Sequence, residues 1–202
     1  SLNDCLYPGP SMVPELPQML MRFRLGSLAA CSDIAKAFLM VGLDEQDRDF
    51  TRFLWPRDPK DPDSPIDTYR FKVILFRAAC SQFILNATID HHLEKYGLQR
   101  GITEKIKRNI YVDNLLVTAS TKAELQDFHG SSKKILGDAG LNLREWATND
   151  PELKELTHKE GEADTRSIVP VLGLKWDTVQ DTLVVAPKEL ESGKPTKRII
   201  LR

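Results

Sequence analysis

Two acidic residues, Asp33 and Asp113, lie beside short apolar runs that have the composition of β-strands. Residues 111–114 read Tyr-Val-Asp-Asn between two such runs, a pattern typical of a hairpin with an Asp-Asn turn, since both residues tolerate positive φ angles. Asp33 ends the run 28–33, where a helical turn begins. Carboxylates at the ends of adjacent strands suit a pair of Mg²⁺ ions, which prefer oxygen ligands and retain bound phosphates. The pattern therefore indicates a candidate phosphoryl-transfer site.

Each of these two signals also has a simpler interpretation. An Asp-Asn pair between strands commonly does no more than form the turn. Asp33 stands in the position of an N-cap for residues 34–39, which is a common role for an Asp after a strand. The two acidic residues alone therefore leave a metal site and two structural roles open.

The elements around these residues alternate between strand and helix patterns. Thr121-Lys-Ala-Glu124 is a capping-box pattern that predicts a helix to about Ala139, ended by Gly140, with Leu125, Phe128 and Ser132 on one face. A second helix is predicted over Ser81–Tyr96 and a short one from residue 34. Strands are predicted at 27–33, 50–55, 69–75, 141–146, 171–177 and 182–186. This order predicts the α+β class, with an antiparallel sheet backed by helices on one face.

Three segments lack such patterns and are expected to be irregular. Residues 1–20 are rich in proline and predict an irregular arm. Residues 56–65 contain prolines that exclude both helix and central strand, so they predict a surface loop. Residues 150–167 are polar and rich in Glu and Lys, and they predict a second surface loop that serves as a mobile connector.

The composition restricts the partners of the chain. The 28 Lys and Arg residues against 29 Asp and Glu residues leave a net charge of −1, so any nucleic-acid binding must come from local patches. The densest basic patch is either a phosphate track or a solvated face, and it comprises Lys95, Arg100, Lys105, Lys107 and Arg108.

Three dispersed cysteines indicate neither disulfides nor zinc spacing and fit an intracellular setting. No apolar run suits a membrane span, so no membrane partner is expected. A first residue other than Met and an apolar end at 199–202 suggest a fragment.

A set of ordered motifs supports a more specific interpretation. The sequence resembles the reverse transcriptase of LTR retrotransposons, most closely the Bel/Pao group, in the strings Ser1–Ser11, Arg22–Gly26, Asp33–Leu39, Leu43–Trp55, Phe83–Thr88, Tyr111–Asn114, Leu141–Trp146 and Val171–Asp177. The resemblance implies a polymerase palm at 27–49 and 81–150, partial fingers at 1–26 and 50–80, and a primer-grip hairpin at 168–186. It implies that residues 1–202 are a fragment of a polyprotein.

The resemblance also implies the roles of individual residues. Asp33 and Asp113 would be the catalytic carboxylates and would bind two Mg²⁺ ions, or Mn²⁺ in their place, together with the carbonyl of Ile34 and the amide of Asn114. The nucleotide pocket would contain Phe76, Arg77 and Phe38, the last as a steric gate against the ribose 2′-hydroxyl; a plain core role is the alternative for Phe38. The primer would contact four residues, Tyr111, Leu172, Gly173 and Trp176.

The implied activity is RNA-directed DNA synthesis from dNTPs on an RNA or DNA template with a primer, in a cytoplasmic retroelement particle. The sequence departs from the family at several positions. Asn114 stands where the family usually has a second Asp, Arg77 where it has a glycine, Gln82 where it commonly has a proline, and Glu145 where it often has a lysine. These departures favour an alternative, a decayed or co-opted module that binds nucleic acid or protein without catalysis. An unrelated metal-dependent hydrolase has only the two carboxylates in its favour.

Overall fold

The computed structural model describes residues 2–96 and 100–185, which form a mixed α+β fold. Its helices are α1 (Leu2–Cys5), α2 (Leu16–Phe23), α3 (Ser81–Glu94), α4 (Arg100–Asn109), α5 (Lys122–Gly137) and α6 (Pro151–Lys159). Its strands are β1 (Leu28–Ile34), β2 (Arg52–Pro56), β3 (Ile66–Arg70), β4 (Ile110–Tyr111), β5 (Asn114–Ala119), β6 (Leu143–Thr148), β7 (Ile168–Val171), β8 (Leu174–Asp177) and β9 (Thr182–Val184). Two 3₁₀ helices cover Ala37–Met40 and Arg48–Thr51.

The main sheet has the strand order β4-β5-β1-β6, and all of its neighbours are antiparallel. In this register Asp33 lies opposite Asn114 of β5 on one side and opposite Arg144 of β6 on the other. The Ile34 amide donates a hydrogen bond to the Asp113 carbonyl (2.8 Å), which fixes the end of β1 against the β4–β5 turn. The predicted antiparallel sheet is therefore confirmed, and its two inner strands are β5 and β1.

The larger core lies between the main sheet and helices α3, α4 and α5. Side chains of a strand alternate between its two faces, so Ala30 and Ile34 of β1 enter this core together with Leu115 and Val117 of β5. Helix α5 buries the stripe predicted from its sequence, and the Thr121 side chain accepts the Glu124 amide as its N-cap. Gly140 has a φ of +74°, the left-handed conformation expected just after a helix.

The opposite face of the main sheet is also covered, which corrects the expectation of a sheet backed on one face only. Ala29 and Cys31 of β1 pack there against helix α2 and a small antiparallel sheet of order β7-β8-β9. The rings of Phe23 and Trp176 meet edge to face, with centroids 5.0 Å apart. The predicted irregular arm over residues 1–20 was therefore wrong at both ends: α1 forms near the start, and α2 provides apolar residues for this second core.

The predicted connector over 150–167 was wrong as well, because residues 151–159 form helix α6. Asp150 is fully buried and its carboxylate accepts the Leu153 amide (2.9 Å), while Pro151 occupies the first helical turn, where a missing amide donor costs nothing. Strand β3 covers Ile66–Arg70 rather than 69–75. The predicted strand 182–186 is confirmed as β9 as far as Val184, and residue 186 lies outside the described residues.

The loop at 56–65 is confirmed as an exposed connection between β2 and β3, with Pro56 as the last residue of β2. The β2–β3 hairpin is a separate two-stranded sheet with mostly exposed side chains. Among the described residues, no helix is both long and apolar enough to cross a membrane.

Candidate metal and nucleotide cleft

The two acidic residues singled out by the sequence lie together at one end of the main sheet. Asp113 lies in the β4–β5 turn, one residue before the Asn114 that faces Asp33 across β5 and β1. The turn itself consists of Val112 and Asp113, not of Asp113 and Asn114 as the sequence pattern suggested, and Val112 adopts a positive φ of 58°. A β-branched residue is unfavourable in this conformation, so the surrounding sheet holds the turn that presents Asp113.

Asp33 and Asp113 together line two adjoining cavities. The first, of about 190 Å³, lies between the main sheet and β7 and is lined by Asn114, Glu145 and Arg166 among others. The second, of about 320 Å³, lies beside the 3₁₀ helix Ala37–Met40 and includes Ile34, Phe38, Phe76 and Arg144 in its lining. The two cavities meet at the shared carboxylates, and we call them together the cleft.

The groups at this point suit a hard divalent cation. Asp33, Asp113 and Asn114 are all partly exposed, and they offer carboxylate and amide oxygens, the ligands preferred by Mg²⁺ and Mn²⁺. The Asn114 amide nitrogen donates a hydrogen bond to Asp113 Oδ1 (2.9 Å), which orients both side chains. Ile34 is buried and lines the same cleft. The donor set therefore fits the metal ions that the resemblance implies.

Two of the three predicted nucleotide residues, Phe38 and Phe76, line the second cavity, and Arg77 lies beside Phe76. Phe38 and Phe76 meet edge to face with centroids 5.5 Å apart, and the Arg77 guanidinium lies 5.7 Å from the Phe76 ring centroid. Arg77 has a φ of +69°, a conformation that favours glycine and matches the residue expected there by resemblance. Phe38 also packs against the larger core, so the structure leaves both the gate and the core role open for it.

Four charged residues of the cleft, Arg144, Arg166, Asp164 and Lys36, were not identified as such from the sequence. Arg144 Nη2 lies 3.4 Å from Asp33 Oδ2, and its Nη1 lies 3.6 Å from Glu145 Oε1. Arg166 reaches the other oxygen of Glu145 (3.8 Å) and binds Asp164 (2.6 Å), and this hydrogen bond lowers the pKa of Asp164. Lys36 lines the second cavity. The negative charge of Glu145 is thus placed between two arginines.

The position of these cations depends on strand pairing. Arg144 reaches Asp33 because β6 lies next to β1, and Arg166 enters because the chain returns after α6 to form β7. In the sequence, the only local sign of these cations was the Arg-Glu pair at 144–145. Such a pair does not indicate a cleft unless the order of the strands is known.

The predicted primer-contacting residues divide into two groups. Leu172 and Gly173 form the two-residue turn between β7 and β8, with φ angles of 48° and 89°, and Gly173 is exposed. Tyr111 is partly buried against the second core. The Trp176 side chain is fully buried, and its indole nitrogen donates to Asp181 (2.9 Å). The Trp176 ring therefore packs in the second core. Because it is buried, it has no free surface for a primer contact in this conformation.

Comparison with known proteins gives a structural likeness but no sequence match. No family profile and no curated protein matches the sequence. The structure is similar to that of a foamy viral protease-reverse transcriptase solved in complex with double-stranded DNA, with a TM-score of 0.60 and 15% identity over 88% of this chain. The chain has a reverse-transcriptase-like fold. The match spans 26% of the viral protein, so about a quarter of that length corresponds to this chain.

This likeness agrees with the palm-like arrangement expected from the motifs, an antiparallel sheet with helices packed on it. The assignment to the Bel/Pao group has no counterpart among these findings.

Proposed function

We propose that the chain is an RNA-directed DNA polymerase domain of a Bel/Pao-type retrotransposon, which transfers a nucleotidyl group from a dNTP to a primer 3′-hydroxyl. The observation that carries this proposal is the position of Asp33 and Asp113, side by side at the sheet end where two cavities meet, within a reverse-transcriptase-like fold. In the reaction, the 3′-oxygen forms a bond to the α-phosphorus, its proton is lost, and pyrophosphate leaves.

The residues of the cleft would divide the work between them. Asp33, Asp113, Asn114 and the Ile34 carbonyl would hold two Mg²⁺ ions, which supply activation of the 3′-hydroxyl and neutralisation of the phosphates. The first cavity borders β7 and so adjoins the β7–β8 turn, where Leu172 and Gly173 would contact the primer backbone. The exposed Gly173 permits a close approach of that backbone.

The second cavity would take the incoming dNTP. Phe38 and Phe76 form an apolar corner beside Asp33, and a flat ring there would occupy the space needed by a ribose 2′-hydroxyl. Arg144 lines the same cavity, and Lys36 adds a second cation. We assign to Arg144 the charge that the resemblance would have placed on a lysine at position 145, because arginine binds phosphate oxygens through two parallel hydrogen bonds.

Specific observations favour a second candidate, a module that binds nucleic acid without catalysis. Arg144 already neutralises part of the charge of Asp33, and Asn114 provides one negative charge fewer than an Asp would. The Arg77 side chain lies over Phe76 at the rim of the nucleotide cavity, where a glycine would leave it open. In this candidate the cleft binds phosphates through its arginines, and no bond is formed.

The experiment that separates the two candidates is single-nucleotide primer extension at low salt. The purified 202-residue chain is given an RNA or DNA template with a primer, one dNTP, and Mg²⁺ or Mn²⁺. We expect metal-dependent addition that is lost in Asp33→Asn and Asp113→Asn, with Asp63→Asn in the exposed 56–65 loop as the matched control. Primer–template binding without any addition in either metal would leave only the non-catalytic module.

A further inference from the structure

A second group of potential metal ligands lies apart from the cleft, beside helix α5 on the face of the main sheet that carries the larger core. His129 of α5 and two residues after α6, Glu160 and Glu162, each place one ligand atom within 4.8 Å of the others. In β6, Glu145 and Ala147 line the cleft, whereas Trp146 between them enters the larger core and contacts the His129 ring with centroids 4.6 Å apart. The cluster is therefore distinct from the proposed catalytic site.

Three buried polar atoms around this point lack a hydrogen-bond partner within the described residues: His129 Nε2, Trp146 Nε1 and Glu162 Oε2. His129 is 3% exposed, so water from bulk solvent does not reach its ring freely. A buried polar group without a partner is costly, and native proteins usually satisfy such groups with ordered water or an ion. The Trp146 indole N–H is a donor and cannot bind a cation, and Glu162 Oε2 has Lys133 beside it, so the buried His129 Nε2 is the atom that indicates an absent ligand.

The two carboxylates are already arranged around a positive charge. Lys133, one turn after His129 on α5, places its Nζ 2.7 Å from Glu160 Oε2 and 2.7 Å from Glu162 Oε2. Lys133 therefore neutralises part of the charge of both carboxylates. A lysine ammonium at this point occupies the position that a bound cation would take.

The imidazole is in the form that binds metals. Burial lowers the pKa of His129, and the neighbouring Lys133 lowers it further against the opposing effect of the two glutamates. This direction favours the neutral imidazole, which has a lone pair available on one nitrogen. One imidazole nitrogen and two carboxylate oxygens are ligands typical of zinc, with water as the fourth ligand.

We propose that His129, Glu160 and Glu162 bind a Zn²⁺ ion, and that Lys133 is the competing cation when zinc is absent. The ion would join α5 to the segment that follows α6. That segment is hydrogen-bonded to β6 on both sides of Trp146, through the Trp146 amide to the Glu162 carbonyl (2.8 Å) and the Asp164 amide to the Trp146 carbonyl (2.9 Å). It continues to Arg166 in the cleft. Zinc would thus stabilise the segment that positions Arg166.

The test uses the full 202-residue chain carrying Asp33→Asn and Asp113→Asn, so that divalent binding in the cleft does not contribute. Zinc affinity is measured by competition with a chromophoric chelator, and Co²⁺ is used as a spectroscopic probe of the ligand set. We expect one zinc ion per chain and visible Co²⁺ absorption bands of low coordination number. His129→Asn and Glu162→Gln should each weaken zinc binding by more than about 10-fold, since loss of supporting groups alone commonly costs that much.

Two further variants make the result decisive. Lys133→Met removes the competing cation and should tighten zinc binding, whereas His158→Asn, which changes an exposed histidine of the adjacent helix α6, should leave it unchanged. If His129→Asn does not fold, the opposite effects of Glu162→Gln and Lys133→Met still test the site. Zinc affinity that is equal in all of these variants, or no zinc binding at all, would overturn the proposal and assign the three buried atoms to ordered water. Failure here leaves the proposed polymerase function untouched, because the cleft residues are not involved.

Discussion

Arg144 lies directly opposite Asp33 in the register of β6 and β1, and its Nη2 atom is 3.4 Å from Asp33 Oδ2. Both side chains are partly exposed, so the pair contributes little to stability. Its consequence lies in the cleft, where it places a cation next to a carboxylate that would bind metal. A bound triphosphate would compete with Asp33 for the guanidinium.

We therefore predict that Arg144→Met raises the KM for dNTP by about 10-fold, because a charge-assisted hydrogen bond to phosphate would be lost. The measurement is the dNTP dependence of single-nucleotide addition. Arg57→Met, which removes an exposed arginine paired with Asp67 in the β2–β3 hairpin, is the matched control. Equal KM values in both variants would show that Arg144 only pairs with Asp33 and does not contact the triphosphate.

Asn114 offers a test of the metal ligands that is independent of catalysis. Asn114→Asp replaces the hydrogen bond to Asp113 by a second negative charge, so the variant should be less stable than the natural chain without metal. Mg²⁺ should restore this loss, since a further carboxylate strengthens cation binding. The melting temperature, followed against Mg²⁺ concentration, should rise more steeply in Asn114→Asp and less steeply in Asn114→Ala. The same Mg²⁺ dependence in all three proteins would limit position 114 to a role in the strand.

Phe38 distinguishes a sugar gate from a core residue. Phe38→Ala should increase the use of ribonucleotides relative to deoxyribonucleotides, because the ring would no longer fill the space beside the sugar. Phe38→Leu keeps most of the apolar volume against the larger core but removes the flat ring, so it separates the two roles. If the two variants lose stability in urea unfolding while the nucleotide preference stays that of the natural chain, Phe38 is a core residue only.

Protonation of the buried Cys31 thiol is coupled to the stability of the folded chain. Burial in the second core raises the pKa of its thiol to about 12, whereas the unfolded chain ionises near 9.0. Above the lower value the unfolded state loses a proton and the folded state does not, so stability falls as pH rises, by about 1.4 kcal/mol per pH unit.

Urea unfolding at about pH 8 and about pH 10 would measure this loss, which comes to about 1.4 kcal/mol because the slope applies only above the pKa of the unfolded chain. Cys31→Ala should lose less stability over that interval, whereas Cys5→Ala, which changes an exposed cysteine, should behave like the natural chain. An identical pH dependence in Cys31→Ala and the natural chain would mean that another group is responsible.

The parts of the molecule that were predictable from sequence are those with strong local signals. The capping box at Thr121 and the apolar stripe of α5 identified that helix and its buried face. The end of β1 at Asp33 and the β4–β5 hairpin at Asp113 were also visible in short apolar runs, and their proximity followed from the ordered motifs. Helix α6 also has a good N-terminal signal, an Asp150 N-cap followed by Pro151. It was missed because α6 buries only Leu153 and Thr157, so the segment 150–167 has the polar composition of a loop.

Features that depend on contacts between distant segments were not predictable. The approach of Arg144 to Asp33 requires β6 to pair with β1 in a particular register. A slip of one residue would move the Arg144 side chain to the other face of the sheet. The burial of Trp176 requires α2 to pack on the small sheet, and a proline-rich start gave no hint of it. His129 and the two glutamates beside it are separated by about thirty residues in sequence.

The last prediction concerns binding of nucleic acid by the 202-residue chain. We expect weak, salt-sensitive binding to primer–template and no processive synthesis. The chain has a net charge of −1, and the cleft arginines Arg144 and Arg166 are partly neutralised by acidic neighbours. Affinity for duplex falls with salt by a logarithmic slope of about −0.9 per phosphate neutralised, so three cations, with Lys36 as the third, give a slope of about −3. Fluorescence anisotropy over a range of salt concentrations measures it, and Arg166→Met should reduce the slope by about 1. Repeated dNTP addition in the presence of a heparin trap, abolished by Asp113→Asn, would contradict this prediction, because it would require a grip on the duplex far stronger than these three charges supply.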